Sequence, residues 1–303
     1  MRVPDEWLNA VFFLAIDRPD GQGGVRTDYV GTGFYLGVPN ETDPKLRRLY
    51  FVTARHVIEG SQTEDGQLHV RVNTEDGGVA LSPITKVDWV FHPDPSVDVA
   101  VLSPAFQTEG APALQYTYIE EASCATPEVI ESHHIGIGSD LTAVGLFTSR
   151  RGVARNIPVV RSGIIAAMPG EPIDDRADLA RGPVRAYLAE ILSMGGLSGS
   201  PVFVHPVAGP QHVHPKERIG DRRVRETTVW NEAAFVLGMI RSHWDEPPPD
   251  RFGQVPRREW INRGIAVVTP ISGVLDVINS RELADQRKQD AKRETRSSSG
   301  TLD

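Results

Sequence analysis

The chain has 303 residues, 40% of them hydrophobic and 7% aromatic, enough for one large core or two medium ones, and two domains of roughly 100 residues each fit the usual domain size. A formal net charge of −8 argues against nucleic acid or an anionic membrane surface as a partner. The single cysteine, Cys124, excludes an intramolecular disulfide and reads as an inert linker thiol, while 28 glycines and 23 prolines suit many short strands joined by turns.

The apolar run 8–16 is too short to span a bilayer. Asp5 and Glu6 precede it, and Asp17, Arg18 and Asp20 follow where a secretory signal would place small residues, so it reads as the first strand and a cytoplasmic location is expected. Strand-like segments at 11–17, 29–37, 48–54, 68–73 and 97–102 form a first group. Within it, the apolar stretch 49–53 ends in Thr53-Ala54 and sets His56 on the turn that follows, a candidate general base. Asp98 opens the apolar run 99–102, where it can accept from an imidazole and fix its tautomer. Asp88 and Asp94 lie nearby without such a strand after them.

Residues 103–139 read as a crossover to a second group of strands at 141–147, 158–165, 184–192, 201–204, 233–241 and 264–270. No helical period of 10–15 residues alternates with these strands, which argues against a βαβ fold. Gly195-Gly196-Leu197-Ser198-Gly199-Ser200-Pro201 holds a serine between glycines at the mouth of a strand. A nucleophile whose own N–H and a neighbouring N–H must both face an oxyanion needs a tight turn that a Cβ would obstruct. Ser198 is thus the candidate nucleophile, Gly196 and Ser198 the candidate oxyanion donors, and Ser200 lies beyond the turn. The polar stretch 205–231, densely charged over 216–225, reads as a long surface loop. Ile271, Val274, Leu275 and Ile278 recur at helical spacing and predict a closing helix, after which the charged, small-residue segment 281–303 reads as a disordered tail. Adjacent His133 and His134 would face opposite ways in a strand, and His212 and His214 have only Glu217 as a close acid, so no metal and no other cofactor is expected.

The candidates occur in the order His, Asp, Ser, and four landmarks stand in register with one family: Gly31-Thr32-Gly33-Phe34-Tyr35, Thr53-Ala54-Arg55-His56, Asp98-Val99-Ala100-Val101-Leu102 and Gly196-Leu197-Ser198-Gly199-Ser200-Pro201. On these the chain resembles the trypsin/chymotrypsin-like serine peptidases, of the bacterial glutamyl-endopeptidase and HtrA-like sort without a PDZ domain. The resemblance implies an all-β fold of two six-stranded antiparallel β-barrels with a C-terminal helix: an N-terminal barrel over 8–115 carrying His56 and Asp98, a C-terminal barrel over 116–270 carrying Ser198, and the closing helix over 271–280. It also implies a serine endopeptidase that works through an acyl-enzyme on a polypeptide bound as an extended strand.

Leu197 stands where the animal enzymes place an aspartate that pairs with a newly cut N-terminus, and no Ile-Val-Gly-Gly sequence is present. Activation by that route is disfavoured, which leaves a constitutive enzyme or one that needs a partner as activator. In the family the residue six before the nucleophile lies at the base of the primary pocket. Here it is Leu192, followed by Ser193, and the strand 238–243 would supply the pocket wall with Ile240, Arg241, Ser242 and His243. An acidic base is absent, and Ile240 falls where glutamate-specific relatives carry a histidine, so a small or medium apolar residue before the cut is expected, although Arg241 and His243 keep an acidic preference open. The alternative is a catalytically latent or inactive module on the same fold that binds peptides. An unrelated Ser-His-Asp esterase would want Gly at position 200 and its histidine last, and neither holds.

Overall fold

Apolar runs rich in valine, isoleucine and aromatic residues build most of the chain as strands. The computed structural model describes residues 3–40, 47–61, 66–84, 88–103, 114–175, 182–206, 234–248, 256 and 260–299. A short helix α1 (Asp5–Asn9) leads into β1 (Val11–Pro19), β2 (Val25–Pro39), β3 (Arg47–Thr53), helix α2 (Arg55–Gly60), β4 (Gln67–Thr74), β5 (Val79–Pro83), β6 (Val90–Phe91), β7 (Ala100–Leu102), β8 (Leu114–Gln115) and β9 (Ile119–Glu120). These make one nine-stranded sheet in the order β5-β4-β1-β2-β3-β7-β6, with β8 on β4 and β9 parallel on β2. The family resemblance implies a closed six-stranded barrel here. The additional strands are pieces of two to five residues, too short to carry a readable period.

After helix α3 (Pro127–Ser132), capped by Thr126 with proline at its first position, come β10 (Asp140–Gly145), β11 (Val159–Ala167), β12 (Tyr187–Glu190), β13 (Pro201–His205), β14 (Phe235–Glu246) and β15 (Ile261–Pro270). They close a six-stranded barrel in the order β10-β11-β12-β15-β14-β13, antiparallel at every pairing. Closure leaves this half without an exposed sheet edge. Of the expected polar loop at 205–231, residues 207–231, with His212, His214 and Glu217, lie outside the described residues, as do 300–303.

Helix α4 (Ile271–Ile278) buries Ile271, Val274, Val277 and Ile278. They join an apolar cluster that takes Phe12, Phe34 and Val52 from the first sheet and Val144, Phe203 and Met239 from the barrel. One core therefore spans both halves and fixes how they face each other. At the N-terminus the Trp7 ring stacks on Phe203 of β13 at 4.0 Å between centroids.

The segment expected as a disordered tail is helical instead, as α5 (Arg281–Ser299). Its composition is charged, but it contains neither glycine nor proline and is rich in good helix formers. Tertiary contacts hold its first half: Leu283 is buried, Arg287 Nη1 donates to the Tyr50 hydroxyl at 3.0 Å and to the Ile278 carbonyl at 2.6 Å, and Arg48 pairs with Asp290 at 2.7 Å.

A buried arginine makes a second clasp between the halves. Arg71 of β4 is 3% exposed, and among the described residues no carboxylate answers it. Its guanidinium donates to the carbonyls of Arg151, Gly152 and Val153 and to Asn156 Oδ1, at 2.8–3.3 Å. Asn156 returns Nδ2 to the Arg71 carbonyl at 2.7 Å. Burial lowers the Arg71 pKa, yet the group stays a cation at neutral pH. Arg71→Ala would strand three carbonyls and an amide oxygen, and should cost about 3 kcal/mol or more of unfolding free energy, read from the denaturant midpoint; a shift below the detection limit would show that water replaces the clasp.

Candidate active site

Asp98, 1% exposed, lies just ahead of β7 and addresses the first turn of α2 twice. Its Oδ1 accepts from the His56 backbone N–H at 2.9 Å, one of the donors a helix start leaves unanswered, and its Oδ2 meets His56 Nδ1 at 2.6 Å. The carboxylate thus fixes both the backbone and the ring of His56. With the ring proton held at Nδ1, Nε2 carries the lone pair a general base needs. Burial pushes the Asp98 carboxyl up, but the bond to the His56 ring, the charges of His56 and Arg241, and the His56 amide outweigh it, and its pKa lies below the ordinary aspartate value. A lowered carboxyl contributes stability that is fully present above its unfolded pKa of about 4 and is lost as pH falls through the folded value.

Ser198 sits in a turn of the second half. Leu197 N–H donates to the Met194 carbonyl at 3.1 Å and Ser200 N–H to the Leu197 carbonyl at 2.9 Å. Gly196 and Gly199 take φ of +97° and +84°, where a side chain is strained. A Cβ on Gly199 would also lie 2.1 Å from the Thr32 carbonyl oxygen and 2.5 Å from Thr53 Oγ1. Among the described residues the amides of Gly196 and Ser198 have no hydrogen-bond partner, the condition expected of oxyanion donors. The Ser198 hydroxyl donates to the Arg241 carbonyl at 3.4 Å, so engaging His56 requires it to leave that acceptor. Ser200 is fully buried, which bars it from attacking a substrate.

Thr32, which the sequence marks only as part of a glycine-flanked strand, joins this turn to the first sheet. Its N–H donates to the Ser198 carbonyl at 2.9 Å and its Oγ1 to the Gly196 carbonyl at 2.8 Å. The same Oγ1 accepts from Leu146 N–H at 2.8 Å, and the Thr32 carbonyl accepts from Thr53 Oγ1 at 2.7 Å. Thr53 ends β3, one residue before the cap of α2. Turn and histidine are thereby indexed to the same strand pair.

The expected pocket residues divide. Leu192 is 49% exposed. Ser193 is buried, and its carbonyl accepts from Asn262 Nδ2 at 2.7 Å. The Ile240 side chain is fully buried in the barrel core, and its backbone accepts from Gly199 N–H and donates to the Ser200 carbonyl. Arg241 is 3% exposed and pairs with Asp175 at 2.5 Å. Ser242 Oγ donates to Asp175 Oδ1 at 3.1 Å, and His243 Nε2 meets Asp245 at 3.0 Å. Asp175, in the run 172–175, carries no motif that would have singled it out. A cavity of about 350 Å³ lies between the halves beside Ser96, Val97 and Arg241, and a larger one of about 710 Å³ opens by Ile130, Met168 and Tyr187; neither is lined by His56 or Ser198.

Burial and the Glu121 charge push the Cys124 thiol up to about 12, so it stays protonated at neutral pH. Among the described residues no three His, Cys, Asp or Glu side chains converge as a metal site requires, and no helix is long and apolar enough to cross a membrane.

Thr32→Val keeps the shape but leaves the Gly196 carbonyl and the Leu146 amide unanswered, and should cost about 2–4 kcal/mol, whereas Thr32→Ser should retain most of it. Equal denaturant midpoints for the two variants would show that the hydroxyl does not hold the turn.

No protein-family model matches the chain, and no curated protein matches it. Among solved structures it is similar to the HtrA-type protease AlgW with a decapeptide, at 15% identity and a TM-score of 0.48. The similarity covers 91% of this chain and 65% of that one, so the chain spans slightly less than two thirds of the length of the structure it matches.

Proposed function

We propose that the chain is a serine endopeptidase of the double-barrel type, the nine-stranded sheet serving as the first barrel, which cleaves peptide bonds through His56, Asp98 and Ser198. The observation that carries this reading is the buried Asp98 carboxylate, which takes up both the backbone and the ring of His56 at 2.9 and 2.6 Å. Such a buried acceptor holds the ring proton at Nδ1, leaves the Nε2 lone pair facing away from it, and stabilises the imidazolium once it forms. In the proposed cycle the Ser198 hydroxyl turns from the Arg241 carbonyl to His56, gives up its proton to Nε2 and attacks the peptide carbonyl. The developing oxyanion takes the free amides of Gly196 and Ser198. His56 then passes its proton to the leaving amine, and water, activated by the same base, releases the acyl group.

A small or medium apolar residue before the cut fits the surroundings. Leu192 and Ser193 bring no charge, Arg241 is neutralised by Asp175, and His243 is paired with Asp245. A peptide-library profile led by arginine, lysine or glutamate would overturn that preference.

One observation favours a second reading, that of a latent module that binds peptides or waits for a partner: the nucleophile's hydrogen bond goes to Arg241 and not to His56. A fluorophosphonate probe read by intact mass separates the two. The wild type should gain one phosphonyl group and Ser198→Ala none; absence of labelling in the wild type would sink the peptidase reading in favour of the latent one. Asp98→Asn should slow labelling by about ten-thousand-fold. Its urea midpoint should lie below that of the wild type at neutral pH, and the gap should close as pH falls below about 4. A gap that persists there would show that the charge of Asp98 does not stabilise the fold.

A further inference from the structure

Arg241 occupies an irregularity in β14. Ile240 pairs with Val268 and Ser242 with Val267, so Arg241 is the extra residue of a bulge. Bulges re-aim side chains next to functional sites. This one sends the guanidinium inward, where Nε donates to Asp175 Oδ2 and Nη1 to the Ser96 carbonyl, both at 2.5 Å. Asp175 is itself 1% exposed. Ser96 belongs to the turn just ahead of Asp98, in which Asp94 Oδ1 accepts from Ser96 N–H at 2.8 Å. The backbone carbonyl of the same Arg241 accepts the Ser198 hydroxyl. Three separate segments, bearing Asp175, Asp98 and Ser198, therefore converge on one residue that is itself only 3% exposed.

Burying both members of an ion pair is a poor way to gain stability. The desolvation of two charges roughly cancels their attraction, and apolar residues of the same volume often do as well. Hydrophobic side chains in this place would pack equally but would fix neither the Ser96 carbonyl nor the direction of the Arg241 carbonyl. The guanidinium does both, because its donors leave in a rigid fork.

We infer that Arg241, held by Asp175, is a positioning residue of the site: its side chain sets the turn that carries Asp98, and its carbonyl sets where the Ser198 hydroxyl rests. The kinetic part of this inference depends on the peptidase reading, and the part concerning Asp98 and His56 does not.

The test uses the full chain and two readouts. The first is the labelling of Ser198 by a fluorophosphonate at varied concentration, which separates the maximal rate from probe affinity. The second is the deshielded proton resonance of His56 Nδ1–H, which reports the short bond to Asp98 whether or not the protein reacts. In Arg241→Met combined with Asp175→Asn both charges go together, so no buried ion is orphaned. The melting temperature should stay near that of the wild type, while the maximal labelling rate falls on the order of 10- to 100-fold at unchanged probe affinity and the deshielded resonance shifts or broadens. Should that pair fail to fold, Arg241→Lys keeps the charge opposite Asp175 but cannot serve both Asp175 and the Ser96 carbonyl, and the same two changes are expected. A folded variant with the rate and the resonance both unchanged would overturn the inference while leaving the peptidase reading intact. A wild type that does not label, but whose His56 resonance is lost in the variants, would remove the peptidase reading and retain Arg241 as the residue that positions Asp98.

Discussion

The site depends on a seam between two halves of the chain, and at that seam Thr32 commits every polar group it has. Its amide, hydroxyl and carbonyl are all engaged within 2.9 Å, and the hydroxyl serves as donor and acceptor at once. The partners are the carbonyls of Gly196 and Ser198 on one side and Thr53, just before α2, on the other. A turn in which the amides of Gly196 and Ser198 stay free cannot be stiffened through those amides, so its carbonyls share the task with the amides of Leu197, Gly199 and Ser200. Thr32 holds two of them. This gives a physical reason for the glycine before it: a Cβ on Gly31 would stand 2.7 Å from a Val57 methyl and 3.3 Å from the Ser198 carbonyl oxygen, wedging the seam apart.

Among the described residues charge is buried at three places, and each is answered differently. Asp98 has the His56 ring and amide. Arg71 has carbonyls and an amide oxygen and no carboxylate among the described residues. Arg241 has Asp175 and a carbonyl. All three lie beside His56 or where one half meets the other, while the interiors of the two sheets are closed by apolar side chains. Apolar contact is non-directional and tolerates sliding by fractions of an ångström. A saturated hydrogen-bond network does not, because misplacing it leaves buried groups unanswered at about 1–3 kcal/mol each. The shared core from Phe12 to Met239 brings the halves together, and the polar links fix their register.

What could be read in the sequence was local. His56, Asp98 and Ser198 each sit at the end of an apolar strand with a telling neighbour, so short windows were enough to find them and to place the core strands within a few residues. What escaped was built from distant partners. Asp175 and Arg241 lie 66 positions apart, and neither has a pattern around it. Thr32 looks like an ordinary strand threonine until the turn at 196–199 folds onto it. Composition misled at the C-terminus, where a charged stretch became α5 because Leu283, Arg287 and Asp290 find partners on α4 and β3 that no window of the tail contains. The bulge at Arg241, which breaks the alternation of faces along β14, has no signal in the sequence either.

For the proposed peptidase, the resting position of the Ser198 hydroxyl sets how far the site stands from working order. At 3.4 Å the bond from the Ser198 hydroxyl to the Arg241 carbonyl is at the long end of hydrogen bonding, and a neutral bond of ordinary length is worth only about 1 kcal/mol net. Leaving it costs at most about a tenfold reduction in the competent population. Such a penalty lies within reach of a bound substrate or a partner, since a difference of about 1.4 kcal/mol in affinity for the two arrangements would offset it. In the proposed peptidase, a switch of that size would act on the Ser198 hydroxyl, while the bonds from Asp98 to His56 stay as they are. Control of the proposed peptidase would then act on whatever sets the direction of the Arg241 carbonyl, with the pairing of His56 and Asp98 left intact.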